Sequence, residues 1–191
     1  MIVMVTGGAR SGKSSFAERW CMKQAKSAIY IATAQAFDTE MEQRIALHKE
    51  QREGTDFHWT TLEEPIRLAE LLTSHPILLG GNVTGEAPLV LVDCLTLWLS
   101  NVLLTAGDGP EAGVTVMEQM EQLEAAIKAY PGTIVMVTNE VGDGIVPEYP
   151  LGRLYRDLAG VLNQRLACIS QQVFLVTVGI PIELKSKEYL L

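Results

Sequence analysis

Residues Gly7 to Ser14 read GGARSGKS, and no other run constrains the chain as much. The spacing fits G-x-x-x-x-G-K-[ST]. The short apolar run Ile2 to Thr6 precedes it, and a helical pattern from Ser14 to about Lys26 follows. A strand that ends in such a loop and resumes as a helix curls its backbone N–H groups around phosphate oxygens, with the positive end of the helix dipole behind them. Gly7, Gly8, Ala9, Arg10, Ser11, Gly12, Lys13 and Ser14 are therefore candidate nucleotide-binding residues. Lys13 is placed to reach the β- and γ-phosphates, and the Ser14 hydroxyl to coordinate Mg²⁺.

The rest of the chain continues the alternation. Strands are expected at Ala28 to Ala32, Leu89 to Val92, Thr133 to Thr138 and Val173 to Val178. Helices are expected at Asp38 to about Glu53, Glu64 to Ser74, Leu95 to Leu104, Val114 to Tyr130 and Gly152 to Ser170. Strands apolar on both faces and separated by helices predict an α/β fold, with a mostly parallel sheet covered on both sides. At 191 residues the chain suits a single domain, 1–191. Gly107 to Gly113 reads as a glycine-rich loop and His75 to Pro88 as an inserted one. The tail after Ile180 reads as a short edge strand or a frayed end.

Charge and composition remove several classes. The net charge is -8, which leaves no surplus of cations for phosphates, so nucleic acid is not an expected partner. No apolar run approaches the roughly 20 residues that span a bilayer. The N-terminus lacks a signal-peptide pattern, and a cytoplasmic protein is expected. Cys21, Cys94 and Cys168 form no C-x-x-C pair and read as small buried side chains.

Two further features carry chemistry. The run LVLVD places Asp93 at the carboxyl end of a strand, where an acid beside the phosphate loop holds Mg²⁺ directly or through water. In FDTEMEQRIALHKEQRE, Arg44, His48 and Arg52 follow at i, i+4 and i+8 and form one helical ridge with Lys49 beside it. Like charge disfavours the protonated form of a histidine between guanidinium groups, and neutral imidazole is a nucleophile. Read from composition alone, the same helix is also a mixed-charge surface helix.

GGARSGKS, IYIATA (Ile29 to Ala34), RIALHKEQR (Arg44 to Arg52), WTTLEEP (Trp59 to Pro65), LVDCLTLWLSN (Leu91 to Asn101) and VTNEVGDGIVPEYPLGRLYRDLAGVLNQRLA (Val137 to Ala167) occur in this order. Together they resemble the bifunctional adenosylcobinamide kinase/adenosylcobinamide-phosphate guanylyltransferase family, over nearly the whole chain. The resemblance implies a RecA-like P-loop fold and a homotrimer. It implies phosphorylation of adenosylcobinamide by ATP or GTP, then transfer of GMP from GTP to adenosylcobinamide phosphate. His48 corresponds to the histidine that carries GMP. Nucleotide contacts are implied for the P-loop, for Ala32, Thr33 and Ala34, for Lys49, Glu50, Gln51 and Arg52, and for Glu63 and Asp93. With Lys13, His48 is the candidate catalytic residue.

Asn139, Glu140, Val141, Gly142 and Gly144 fall on the edge of the sheet where open parallel folds bind ligands. They are expected in the corrinoid site or a subunit interface. Arg153 and Asp157 are spaced to pair on a helix surface, and Asn163 and Gln164 to meet an interface. Trp20 and Trp98 read as core residues, Trp59 as core or as a nucleotide frame, and His58 and His75 as surface residues. Two alternatives remain at this level: a P-loop kinase for another small molecule, and a GTP-dependent switch.

Overall fold

The computed structural model describes residues 1–35, 39, 43, 46, 50, 52, 54, 56–80, 86–109 and 111–189. Arg44, His48, Lys49 and Gln51 lie outside the described residues. Of the helix expected around them, Thr39, Gln43, Ala46, Glu50 and Arg52 are described and helical.

Among the described residues, one seven-stranded sheet holds β1 (Ile2–Thr6), β2 (Ser27–Ala32), β3 (His58–Glu63), β4 (Val90–Asp93), β5 (Ile134–Val137), β6 (Gln172–Thr177) and β7 (Ile180–Glu183) in the order β3-β2-β4-β5-β1-β6-β7. All pairings are parallel except that of β6 with β7. Besides the helical residues around Arg52, the α-helices among the described residues are α1 (Lys13–Gln24), α2 (Leu68–Ser74), α3 (Leu95–Ala106), α4 (Ala112–Ala129) and α5 (Pro150–Ile169).

The central strands are apolar on both faces because both faces are covered. Met4, Ile29, Ile31, Val92 and Met136 pack with Leu68, Leu95, Trp98, Leu123 and Leu162 of the helices on one side. Val3, Val5, Tyr30, Leu91 and Val137 pack with Ala17 and Cys21 of α1 on the other. Of these five helices, α1 packs on one face of the sheet and α2 to α5 mainly on the opposite one.

Several elements differ from expectation. Strand β3 is absent from the sequence reading because HWTTLE holds only exposed and half-buried positions and no apolar run, as suits an edge strand. Helix α2 begins at Leu68, not Glu64. Glu64 accepts the N–H groups of Ile66 (3.0 Å) and Arg67 (2.7 Å), and Pro65 keeps the residue before it out of the helical region. The described part of the 75–88 segment is tied down: Leu78 is fully buried and the Leu78 and Leu79 N–H groups bond back to the His75 carbonyl. His75 is half-buried, whereas His58 is exposed as expected. Trp98 is in the core, with its Nε1 donating to the Ile66 carbonyl (2.8 Å), but Trp20 and Trp59 are only half-buried. Cys21 and Cys94 are buried and Cys168 is exposed, because it falls on the outward side of α5. The tail forms β7, where Pro181 is tolerated on an edge strand. No helix among the described residues is long and apolar enough to cross a membrane.

Candidate nucleotide site on the carboxyl edge of the sheet

The strand order brings the C-terminal ends of β1, β5, β4 and β2 side by side. They deliver, in that sequence, the glycine loop, Asn139–Glu140, Asp93 and Thr33. This is the edge where open parallel sheets bind ligands.

The loop has the backbone that its glycines permit. Gly7 has φ 155°, and a Cβ there would lie 2.3 Å from the Val176 carbonyl oxygen. Gly12 has φ 92° and caps α1 in the left-handed region. No side chain caps α1 and its first turn holds no acid. Its first N–H groups therefore keep the orphan donors that attract an anion. Lys13 is buried, with Nζ 3.1 Å from the Gly8 carbonyl oxygen inside the curl of the loop. Arg10, at the tip, is exposed and has φ 56°.

Two neighbours clamp the loop. Glu140 N–H, just past the end of β5, donates to the Gly7 carbonyl (3.2 Å). From the other flank, Gly179 N–H donates to the Ser11 carbonyl at 2.8 Å. Gly179 (φ 81°) and Val178 (φ 48°) form the tight turn between β6 and β7, so the last hairpin supports the phosphate loop. Nothing in the local sequence near Ser11 signals this contact.

Asp93 ends β4 and Tyr30 Oη donates to its Oδ2 at 3.1 Å. Arg52 is 5% exposed, and its guanidinium lies 3.7 Å over the Tyr30 ring and 3.8 Å from Glu18 of α1. This cluster ties α1, β2 and β4 to the helical residue Arg52. Burial pushes the Glu18 carboxyl up to about 7; Arg52 opposes the shift and the Asp93 charge adds to it. The folded state therefore favours protonated Glu18. The associated stability is fully present below the ordinary value of 4.5 and is lost as pH rises through about 7. Glu18→Gln mimics the protonated form. At pH 8 it should be more stable than the parent by roughly 1–3 kcal/mol, and the difference should vanish near pH 4 in chemical denaturation.

Thr33 is fully buried. Its Oγ1 donates to the Cys94 carbonyl (2.7 Å) and accepts Cys94 N–H (2.9 Å), its N–H donates to the Asp93 carbonyl (3.3 Å), and its own carbonyl accepts Asn101 Nδ2 (2.9 Å). Thr33 thus fixes the turn that carries Asp93. Ala32 pairs with Asp93 on one side and with Glu63 on the other. Ala34 is half-buried just beyond, and Glu63 and Glu50 are exposed. Burial pushes the Cys94 thiol up to about 11, with Asp93 adding to the rise, so this cysteine beside the site stays protonated and is no nucleophile at neutral pH.

Behind the edge runs a polar network that sequence reasoning missed. Asn139 Nδ2 donates to Thr96 Oγ1 (2.6 Å), and Tyr155 Oη to the Thr96 carbonyl (3.0 Å). Asn163 Nδ2 donates to the Asn139 carbonyl (3.1 Å), and Thr138 Oγ1 to Asn163 Oδ1 (2.7 Å). Thr6 donates to the Glu140 carboxylate. Asn163 was expected at an interface, but it is buried against the strand ends. Arg153 bonds the Pro147 carbonyl (3.2 Å) and the Glu148 carbonyl (2.5 Å), and Arg156 the Gly142 carbonyl (2.6 Å). Both arginines hold the loop after β5, and among the described residues Arg153 meets these carbonyls and not Asp157.

The family model for cobinamide kinase / cobinamide phosphate guanyltransferase matches residues 3–184. The chain belongs to this family. It is 42% identical to the bifunctional adenosylcobalamin biosynthesis protein CobP of Pseudomonas aeruginosa, over 96% of this chain and 97% of that one. It is 41% identical to the bifunctional adenosylcobalamin biosynthesis protein CobU of Escherichia coli K12, over 97% of this chain and all of that one. In structure it resembles a prototypical ATPase from the type III secretion system of pathogenic bacteria, with TM-score 0.55 at 15% identity, covering 99% of this chain and 58% of that one. That likeness shows the fold, a RecA-like P-loop architecture.

Proposed function

We propose that the chain phosphorylates adenosylcobinamide with ATP or GTP and then transfers GMP from GTP to adenosylcobinamide phosphate, as a step of cobalamin biosynthesis. The observation that carries this reading is a formed phosphate loop in a chain that matches the family over residues 3–184.

In the first reaction the hydroxyl oxygen of the aminopropanol arm attacks the γ-phosphorus. The bond to the β,γ-bridging oxygen breaks and the nucleoside diphosphate leaves. Lys13, the loop amides and the N-terminus of α1 hold the phosphates and take up the charge that moves onto the leaving oxygen. The residues present fit Mg²⁺. The Ser14 hydroxyl and the Asp93 carboxylate are hard oxygen donors, and Tyr30 Oη fixes Oδ2 of Asp93. Bound there, Mg²⁺ would neutralise phosphate charge.

In the second reaction a ring nitrogen of His48 attacks the α-phosphorus of GTP and pyrophosphate leaves. A phosphate oxygen of adenosylcobinamide phosphate then breaks the P–N bond and restores the imidazole. Arg44, Lys49 and Arg52 are the cations nearest His48 in the sequence. Ala32, Ala34, Glu50, Gln51 and Glu63 would border the nucleotide. The direct test incubates purified protein with adenosylcobinamide and ATP, then with GTP, and follows the corrinoid by mass. Gain of one phosphate and then of GMP, with pyrophosphate released, is the expected result. Nucleotide turnover without any change in the corrinoid would replace this reading by a kinase for another small molecule or a switch.

The resemblance also supports a cytoplasmic homotrimer. Ile180 and Ile182 of β7 are exposed and offer apolar surface for a second copy. Sedimentation equilibrium should give about three times the mass of the chain. A monomer at working concentration would remove the oligomer from the proposal.

A further inference from the structure

The attacking hydroxyl of the kinase reaction carries a proton that must leave as the O–P bond forms, whereas the attacking phosphate of the guanylyl transfer already has a free oxyanion. A site that runs both reactions therefore needs a proton acceptor for only one of them.

We propose that Glu140 is that acceptor, an inference that rests on the family's kinase reaction. Strand β5 lies between β1, which carries the phosphate loop, and β4, which carries Asp93. Glu140 follows the end of β5, and its own N–H is bonded to the Gly7 carbonyl at 3.2 Å. Its backbone is thus one hydrogen bond from the first residue of the phosphate loop. The other carboxylates of this edge are less suited. Asp93 accepts from Tyr30 and is the metal candidate. Glu63 ends β3, which β2, β4 and β5 separate from β1. Glu18 sits on α1 against Arg52. Asp143 is exposed, three residues further along the loop.

The Glu140 carboxylate is held in one orientation. Thr6 Oγ1 donates to Oε1, and Asn163 Nδ2 approaches the same oxygen at 3.4 Å. Both donors are themselves fixed. Thr6 is the last residue of β1, and Asn163 is buried and bonded to Thr138 and to the Asn139 carbonyl. Among the described residues both recorded donors reach Oε1, which leaves Oε2 as the oxygen that accepts a proton. The step balances: the hydroxyl oxygen bonds the γ-phosphorus, the β,γ-bridging bond breaks, and the hydroxyl proton passes to Oε2. The network behind the edge then has a purpose, to hold a base still beside the phosphate loop.

Glu140→Gln keeps an oxygen for Thr6 and Asn163 and removes the base. The two reactions are assayed separately, the kinase with adenosylcobinamide and ATP and the transferase with adenosylcobinamide phosphate and GTP. The kinase kcat should fall by about 10²–10⁴-fold, while the transferase rate and the KM for GTP change by less than about threefold. Glu140→Asp should recover part of the kinase rate, and Asp143→Asn should leave it unaltered. Equal losses in both reactions would make Glu140 a support of the loop, and an intact kinase would remove it from the chemistry. Either result overturns the proposal. A parent protein with no kinase activity would instead refute the kinase reading itself.

Discussion

Lys13→Met lowers kcat/KM for both reactions by about 10²–10³-fold, equivalent to roughly 3–4 kcal/mol of transition-state stabilisation. Methionine retains most of the buried stem, so the loss reports on the ammonium group and not on a cavity. The ammonium already lies within the loop, 3.1 Å from the Gly8 carbonyl oxygen, and the helix behind it has neither a side-chain cap nor an acid in its first turn to compete for phosphate. Both reactions should suffer because the sequence holds one G-x-x-x-x-G-K-S loop and each reaction binds a triphosphate. Steady-state kinetics of each reaction, with circular dichroism to show that the variant folds, make the measurement. Loss of one reaction alone would mean that the other uses a second nucleotide site.

His48→Ala abolishes guanylyl transfer, by a factor on the order of 10³ or more, and leaves the kinase reaction within about tenfold of the parent. The asymmetry follows from the chemistry: only the transfer of GMP passes through a bond to the imidazole. The measurement is the intact mass of the protein after incubation with GTP and Mg²⁺. The parent should gain an acid-labile GMP, and the variant should not. A variant that still transfers GMP at the parental rate would exclude His48 as the carrier.

Strands β1, β2, β4, β5 and β6 were legible because strands buried on both faces are written as unbroken apolar runs. Strand β3 was not, because HWTTLE sits at the sheet edge and needs no apolar run. The phosphate loop was legible because its function rests on backbone curvature, and curvature is written in glycines at fixed spacing. Arg52 shows the limit of spacing. Helical periodicity groups it with Arg44 and His48, which lie outside the described residues, but gives no sign of the Tyr30 ring and the Glu18 carboxyl that its guanidinium meets.

By itself the sequence determined the fold class, the phosphate loop, the acid at the end of β4 and the family, because each is carried by residues adjacent in the chain or by motifs in a fixed order. Only the tertiary structure decided what stands around them. The Val178–Gly179 turn grips Ser11. Thr33, 61 residues from Cys94, fixes the turn that carries Asp93. Thr6, 134 residues from Glu140, orients its carboxylate, and Asn163 closes the same network from α5. These partners are short polar side chains with no motif of their own. They meet because the strand order places their ends together, and that order is set by packing across the whole sheet.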